Sequence, residues 1–192
     1  TFGLLVLPQA FAAAEVAAIR RIFDILLAED RGGKPFSGER RQTLFGIVEK
    51  HPLLTQLVED DRIYATAENL LGSGFSWLCS EGNLYIGDTP WHPDGGSTPD
   101  FPFMKVSLYL DALAPDCGCL RVIPGSHLKR HRLHGLPPRD ELQKADESHP
   151  ALQADPDEID VAVQAGDLVI GDARLLHAAH PNRSQERRTV IT

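Results

Sequence analysis

Trp91-His92-Pro93-Asp94 sets an imidazole and a carboxylate two residues apart. In an extended segment, residues at that spacing point to the same side. His92 and Asp94 can therefore face one metal ion. A third ligand must come from elsewhere, and His177 and His180 both qualify, in Leu175-Leu176-His177-Ala178-Ala179-His180-Pro181-Asn182. Two histidines and one carboxylate on one face of a metal leave three coordination positions open, the donor set of non-haem iron(II) centres. Those positions matter where a keto acid and dioxygen must both reach the metal. A keto acid also needs an anchor for its far carboxylate, and arginine supplies a planar, two-pronged, permanently charged one. Arg187 and Arg188 follow His177 by 10 and 11 residues, room for one turn and a return strand. On a pleated strand only one of the two faces inward.

These residues need a scaffold. Gly3 to Leu7 reads as a strand, and Ala10 to Ala28 as an amphipathic helix on the spacing of Val16, Ile19, Ile22, Phe23, Leu26 and Leu27. Arg31 to Gly38 reads as a loop. Arg40–Glu49 and Pro52–Leu71 are predicted helical, the last ended by Gly72 and Gly74. Beyond Gly74 the texture turns to short strands: Phe75–Cys79, Leu84–Ile86, Phe103–Asp111, Leu120–Ile123, Ile159–Val163, Leu168–Ile170, Ala173–His177 and Arg188–Thr192. Lys129 to Ala154 is a polar insertion with a short helix expected near Arg139 to Lys144. Helices first and many short strands after suit an antiparallel barrel or sandwich with helices on one side.

Several matching pieces occur in order. Trp91-His92-Pro93-Asp94 comes first, then Cys117-Gly118-Cys119-Leu120-Arg121-Val122-Ile123-Pro124-Gly125-Ser126-His127. Gly166-Asp167-Leu168-Val169-Ile170 follows, then Asp172 to His177, Pro181 to Ser184, and Arg188. Together they resemble the phytanoyl-CoA dioxygenase family of iron(II)- and 2-oxoglutarate-dependent oxygenases, and the resemblance covers nearly the whole chain. It implies a mainly β fold with N-terminal helices, a double-stranded β-helix (jelly-roll) barrel with iron at one mouth. The expected organisation is one oxygenase domain over 1–192. Residues 1–72 would pack on a barrel core of 73–192, with the insertion at about 129–156.

The resemblance selects His177 over His180 and Arg188 over Arg187, because in the family the second histidine lies about eleven residues before the arginine that pairs with 2-oxoglutarate. Asn83 and Tyr85, before the His-x-Asp pair, and Ser107, after it, are candidate partners of the keto acid. Relatives that halogenate lack the carboxylate, so the resemblance with Asp94 in place implies a hydroxylase rather than a halogenase, carrying out hydroxylation or a related oxidation. Such an enzyme takes Fe(II), 2-oxoglutarate and O2, hydroxylates a C–H bond of a small molecule, and releases succinate and CO2. The alternative is a cupin-like metal-binding barrel without oxygenase activity, which needs no arginine anchor. A zinc hydrolase fits less well, since no general base stands beside the triad.

Other residues read as structural. His127 belongs to a turn, Arg121 to a salt bridge or the barrel interior, and Lys129 to His134 to a solvated basic run. Trp77, Phe101 and Phe103 are candidates for the pocket or the core. With 19 Lys and Arg against 27 Asp and Glu the net charge is −8, which argues against nucleic acid as a partner. No apolar run reaches the roughly 18 to 20 residues of a membrane span. No signal peptide is evident, and an apolar run at Thr192 suggests trimmed ends. Cys79, Cys117 and Cys119 form no disulfide framework, so a reducing cytoplasm is expected. The residues commit to no oligomeric state.

Overall fold

The computed structural model describes residues 2–34, 41–94, 102–136 and 148–192. Strand β1 (Leu4–Leu7) leads into α1 (Ala13–Asp30), followed by β2 (Arg41–Phe45), α2 (Pro52–Glu59) and α3 (Asp61–Leu71). Then come β3 (Glu81–Tyr85), β4 (Thr89–His92), β5 (Met104–Tyr109), β6 (Leu120–Val122), β7 (Ile159–Val161), β8 (Leu168–Asp172), β9 (His177–Ala179) and β10 (Thr189–Ile191). A six-stranded sheet has the order β1-β8-β5-β10-β3-β2, and a four-stranded sheet the order β4-β9-β6-β7. Every pairing is antiparallel.

Alternation along the strands divides the apolar residues between two sides. Tyr109, Val169 and Val190 of the larger sheet meet Val122 and Val161 of the smaller one in a core between the sheets. On the larger sheet's other face, Leu108, Leu168 and Ile191 pack against Val16, Ile19 and Phe23 of α1 and against Leu54 and Ile63. The smaller sheet's outer face carries Trp91 and Ala178, covered by Leu133 from the insertion. This is the expected jelly-roll with helices on one side.

Local chemistry sets the element ends. Pro52 opens α2 and the His51 ring accepts from Leu53 N–H, while the Asp60 carboxylate caps α3 by accepting from Arg62 N–H. Asp60 thus divides the helical stretch predicted over Pro52–Leu71.

Three predicted elements differ. The strand predicted over Ala173–His177 is a turn, from which β9 starts only at His177. Arg41–Phe45 is a strand, not a helix, and only Ile47–Glu49 makes a 3-10 turn. Gln42 and Leu44 are its inward pair. The polar Gln42 is satisfied there by Leu27 O at 3.1 Å and Asp30 Oδ2 at 2.9 Å, which disguises the period-two pattern. Phe75–Cys79 joins no sheet: Trp77 and Leu78 are exposed. The helix expected near Arg139–Lys144, Phe101, and residues 35–38 of the predicted loop lie outside the described residues.

Candidate metal centre

β4 and β9 are antiparallel neighbours, and their register sets His92 directly opposite His177. The two rings meet at 4.3 Å between centroids. Asp94 follows β4 by two residues, and its backbone N–H donates to Ala173 O at 2.8 Å, tying the turn to the segment leading into β9. His92 Nε2 lies 3.8 Å from Asp94 Oδ1, and His177 Nε2 lies 3.5 Å from Asp94 Oδ2. One donor atom from each residue falls within 4.8 Å of the others. Ligands at bond lengths of about 2.1 Å around one ion stand about 3 Å apart, so a small inward movement completes the site.

The outer nitrogens fix the tautomers. His92 Nδ1 lies 2.7 Å from Pro90 O, and His177 Nδ1 lies 2.9 Å from Leu175 O. A carbonyl only accepts, so each Nδ1 carries a proton, and in the neutral ring Nε2 is the nitrogen whose lone pair faces a metal. Burial pushes the Asp94 carboxyl up. His177, Lys105 and His92 beside it pull harder, and its pKa settles at about 2. The third ligand is therefore anionic at any ordinary pH. This donor set fits a divalent transition metal with open positions.

Arg188 lines a cavity of about 90 Å³ that is also lined by His92, Asp94 and His177. Its Nη1 donates to Gly87 O and His180 O, each at 3.1 Å, and its guanidinium lies 4.5 Å from the centre of the Tyr85 ring. Burial pushes its pKa down. Among the described residues no carboxylate pairs with it. A buried, uncompensated guanidinium facing a cavity is a binding site for an anion.

Tyr85 and Ser107 line the same cavity. Asn83 does not. Its amide accepts from Thr43 Oγ1 at 2.7 Å and donates to Glu81 Oε2 at 3.3 Å, which ties β3 to β2. Asn83, expected as a partner of the keto acid, is engaged instead by β2, the segment misread as a helix, through Thr43.

The other candidates lie elsewhere. Arg187 points outward to Asp24 at 2.7 Å, and His180 pairs with Asp160 at 2.7 Å. Arg121 is buried on Glu158 at 3.1 Å, donates to Leu152 O at 2.9 Å, and lies 4.9 Å from the Trp91 ring. It braces the strand that carries His92. In the basic run, Arg132 and His131 face Asp155, and Lys129 and Arg130 are exposed.

Sequence reasoning missed Lys105 and Tyr109, which line the cavity. Both lie two residues from Ser107 on β5, so the strand period would have found them. Lys105 Nζ is 3.1 Å from each Asp94 oxygen. Tyr109 is buried, and burial raises its phenol well above the ordinary value.

Comparison with known proteins accords with this geometry. The family model for phytanoyl-CoA dioxygenase (PhyH) matches residues 1–190. The chain belongs to this family. Membership in the phytanoyl-CoA dioxygenase family puts it among the iron- and 2-oxoglutarate-dependent oxygenases. The ectoine dioxygenase of Stutzerimonas stutzeri (strain A1501) is 26% identical over 215 residues, spanning 97% of this chain and 70% of that protein. HygX from Streptomyces hygroscopicus, crystallised with nickel and 2-oxoglutarate, superposes with a TM-score of 0.76 at 20% identity over 100% of this chain and 81% of its own. SnoN, a non-heme alpha-ketoglutarate-dependent epimerase from nogalamycin biosynthesis, gives 0.74 at 22% identity over 99% of this chain and 76% of its own. The structural matches share the jelly-roll fold.

Proposed function

We propose that this chain is an Fe(II)- and 2-oxoglutarate-dependent dioxygenase that hydroxylates a C–H bond of a small molecule, and that 1–192 works as one oxygenase unit. The observation that carries the reading is the pairing of two sites on one cavity: the cluster of His92, Asp94 and His177, and the buried Arg188, which no described carboxylate pairs. His92 and His177 would hold iron(II) through Nε2, and Asp94 through a carboxylate oxygen. Arg188 would pair with the distal carboxylate of 2-oxoglutarate, with Tyr85 under its guanidinium and Ser107 on the cavity wall. When bound, iron with the keto acid supplies dioxygen activation. The chain fixes three coordination positions, keeps three open, and excludes water with the apolar walls of Leu120, Val122, Leu175 and Val190. Asp94 also separates hydroxylation from halogenation, because its carboxylate fills the position a halide would need.

The test is succinate formation from 2-oxoglutarate in air with iron(II). His92→Ala and Asp94→Ala are expected to abolish it while urea unfolding curves stay cooperative. Wild-type turnover in either variant would overturn the assignment.

A further inference from the structure

A second cavity, about 700 Å³, adjoins the first and shares Asp94, Lys105 and Thr192 with it. Its walls include Ile63, Phe75, Trp77, Phe103, Met104 and Val106. Trp77, Leu78 and Tyr64 leave large apolar surfaces exposed at its edge. Lys105 is the cation at the junction. Its side chain is 38% exposed and its Nζ touches both oxygens of Asp94.

We propose that Lys105 anchors a carboxylate of the substrate, and that the substrate is a carboxylic acid with an otherwise apolar or aromatic body. The inference rests on the oxygenase reading of the same site. Lys105 is the counter-ion of Asp94, and a divalent metal bound by Asp94 takes over that role. The ammonium then faces a larger positive charge at short range, which weakens its hold on Asp94 and favours a new anionic partner. Among the described residues, the other carboxylates on the two cavities are engaged: Asp172 by Arg174 at 2.7 Å, and Glu81 by the Asn83 amide at 3.3 Å. One lysine matches a monoanion. The adjoining walls are mainly apolar, with Ser76, Ser80 and Glu81 among them, so most of the remaining molecule is apolar too. Arg188, on the smaller cavity, is taken by 2-oxoglutarate and does not compete. Metal loading therefore switches Lys105 from holding Asp94 to receiving substrate.

The test uses protein loaded with iron(II) and saturating 2-oxoglutarate without air. Three probes of one shape are titrated, 4-phenylbutanoate, its amide and 4-phenylbutylamine, following the visible metal-to-keto-acid band and Trp fluorescence. The acid is expected to bind at least tenfold tighter than the amide, and the amine weakest. Lys105→Gln should bring acid and amide within twofold, and Lys105→Arg should restore the preference. In metal-free protein, where Lys105 is held by Asp94, the preference should vanish. An acid that binds no tighter than the amide, or a preference retained in Lys105→Gln, overturns the proposal while the band stands. A band that never forms in wild type overturns the oxygenase reading and this inference with it.

Discussion

Replacing Gly118 by alanine should weaken 2-oxoglutarate binding without touching the metal ligands. Gly118 has φ +84°, a left-handed conformation that costs an L-residue about 1–2 kcal/mol. A Cβ built there lies 3.0 Å from Arg188 Cδ, 3.0 Å from Arg188 Nη1 and 3.0 Å from His180 O. Ordinary carbon contacts begin near 3.5 Å, so the guanidinium must move by about half an ångström. Its two carbonyl partners, Gly87 O and His180 O, leave it no slack. A charge-assisted hydrogen bond contributes about 1.5–3 kcal/mol, and losing roughly half of one raises the dissociation constant for 2-oxoglutarate about three- to tenfold. Metal affinity should be unchanged, and stability should fall by about 1–2 kcal/mol from the backbone term. The assay is keto acid titration of the metal-loaded variant, with urea unfolding alongside. Gly32→Ala is the control: φ is +60° with nothing within 4 Å of the new Cβ, so it bears backbone strain alone. If both variants keep wild-type affinity for 2-oxoglutarate, Arg188 is not its anchor.

Three further outcomes follow from the same geometry. Arg121→Met removes the cation buried between Glu158 and the Trp91 ring, and urea unfolding should register a loss of about 3 kcal/mol. Lys105→Gln removes the cation that competes with a metal for Asp94, so manganese(II) titration of metal-free protein should give a dissociation constant about fivefold lower. The folded pKa of Asp94 is about 2, below its ordinary 3.8, so the unfolded chain binds more protons between those values. Asp94 thus contributes about 2 kcal/mol above pH 4, and this is lost as pH falls through 2. The stability gap between metal-free wild type and Asp94→Asn should shrink by that amount across the window, as read by unfolding at each pH.

The residues that meet at the centre were legible because spacing carries geometry. Two positions on an extended segment share a side, and the register of β4 with β9 then brings His177 to His92. The inward turn of Arg188 and the outward turn of Arg187 follow from the pleat. The misreadings have a common physical source, side chains whose partners lie far away in sequence. Gln42 looks solvent-facing until α1 is seen to satisfy it. Asn83 looks like a ligand until Thr43 takes its amide. Lys105 is not singled out in the sequence, and only the fold brings it to Asp94. Phe75–Cys79 has the composition of a strand, but no described strand pairs with it.

Anaerobic titration of the metal-free protein with iron(II) and then 2-oxoglutarate probes the two sites on the cavity together. A visible metal-to-keto-acid charge-transfer band should appear in wild type. It should be lost in His177→Ala and need far more keto acid in Arg188→Ala. Iron bound by wild type with no band at saturating 2-oxoglutarate would contradict the account.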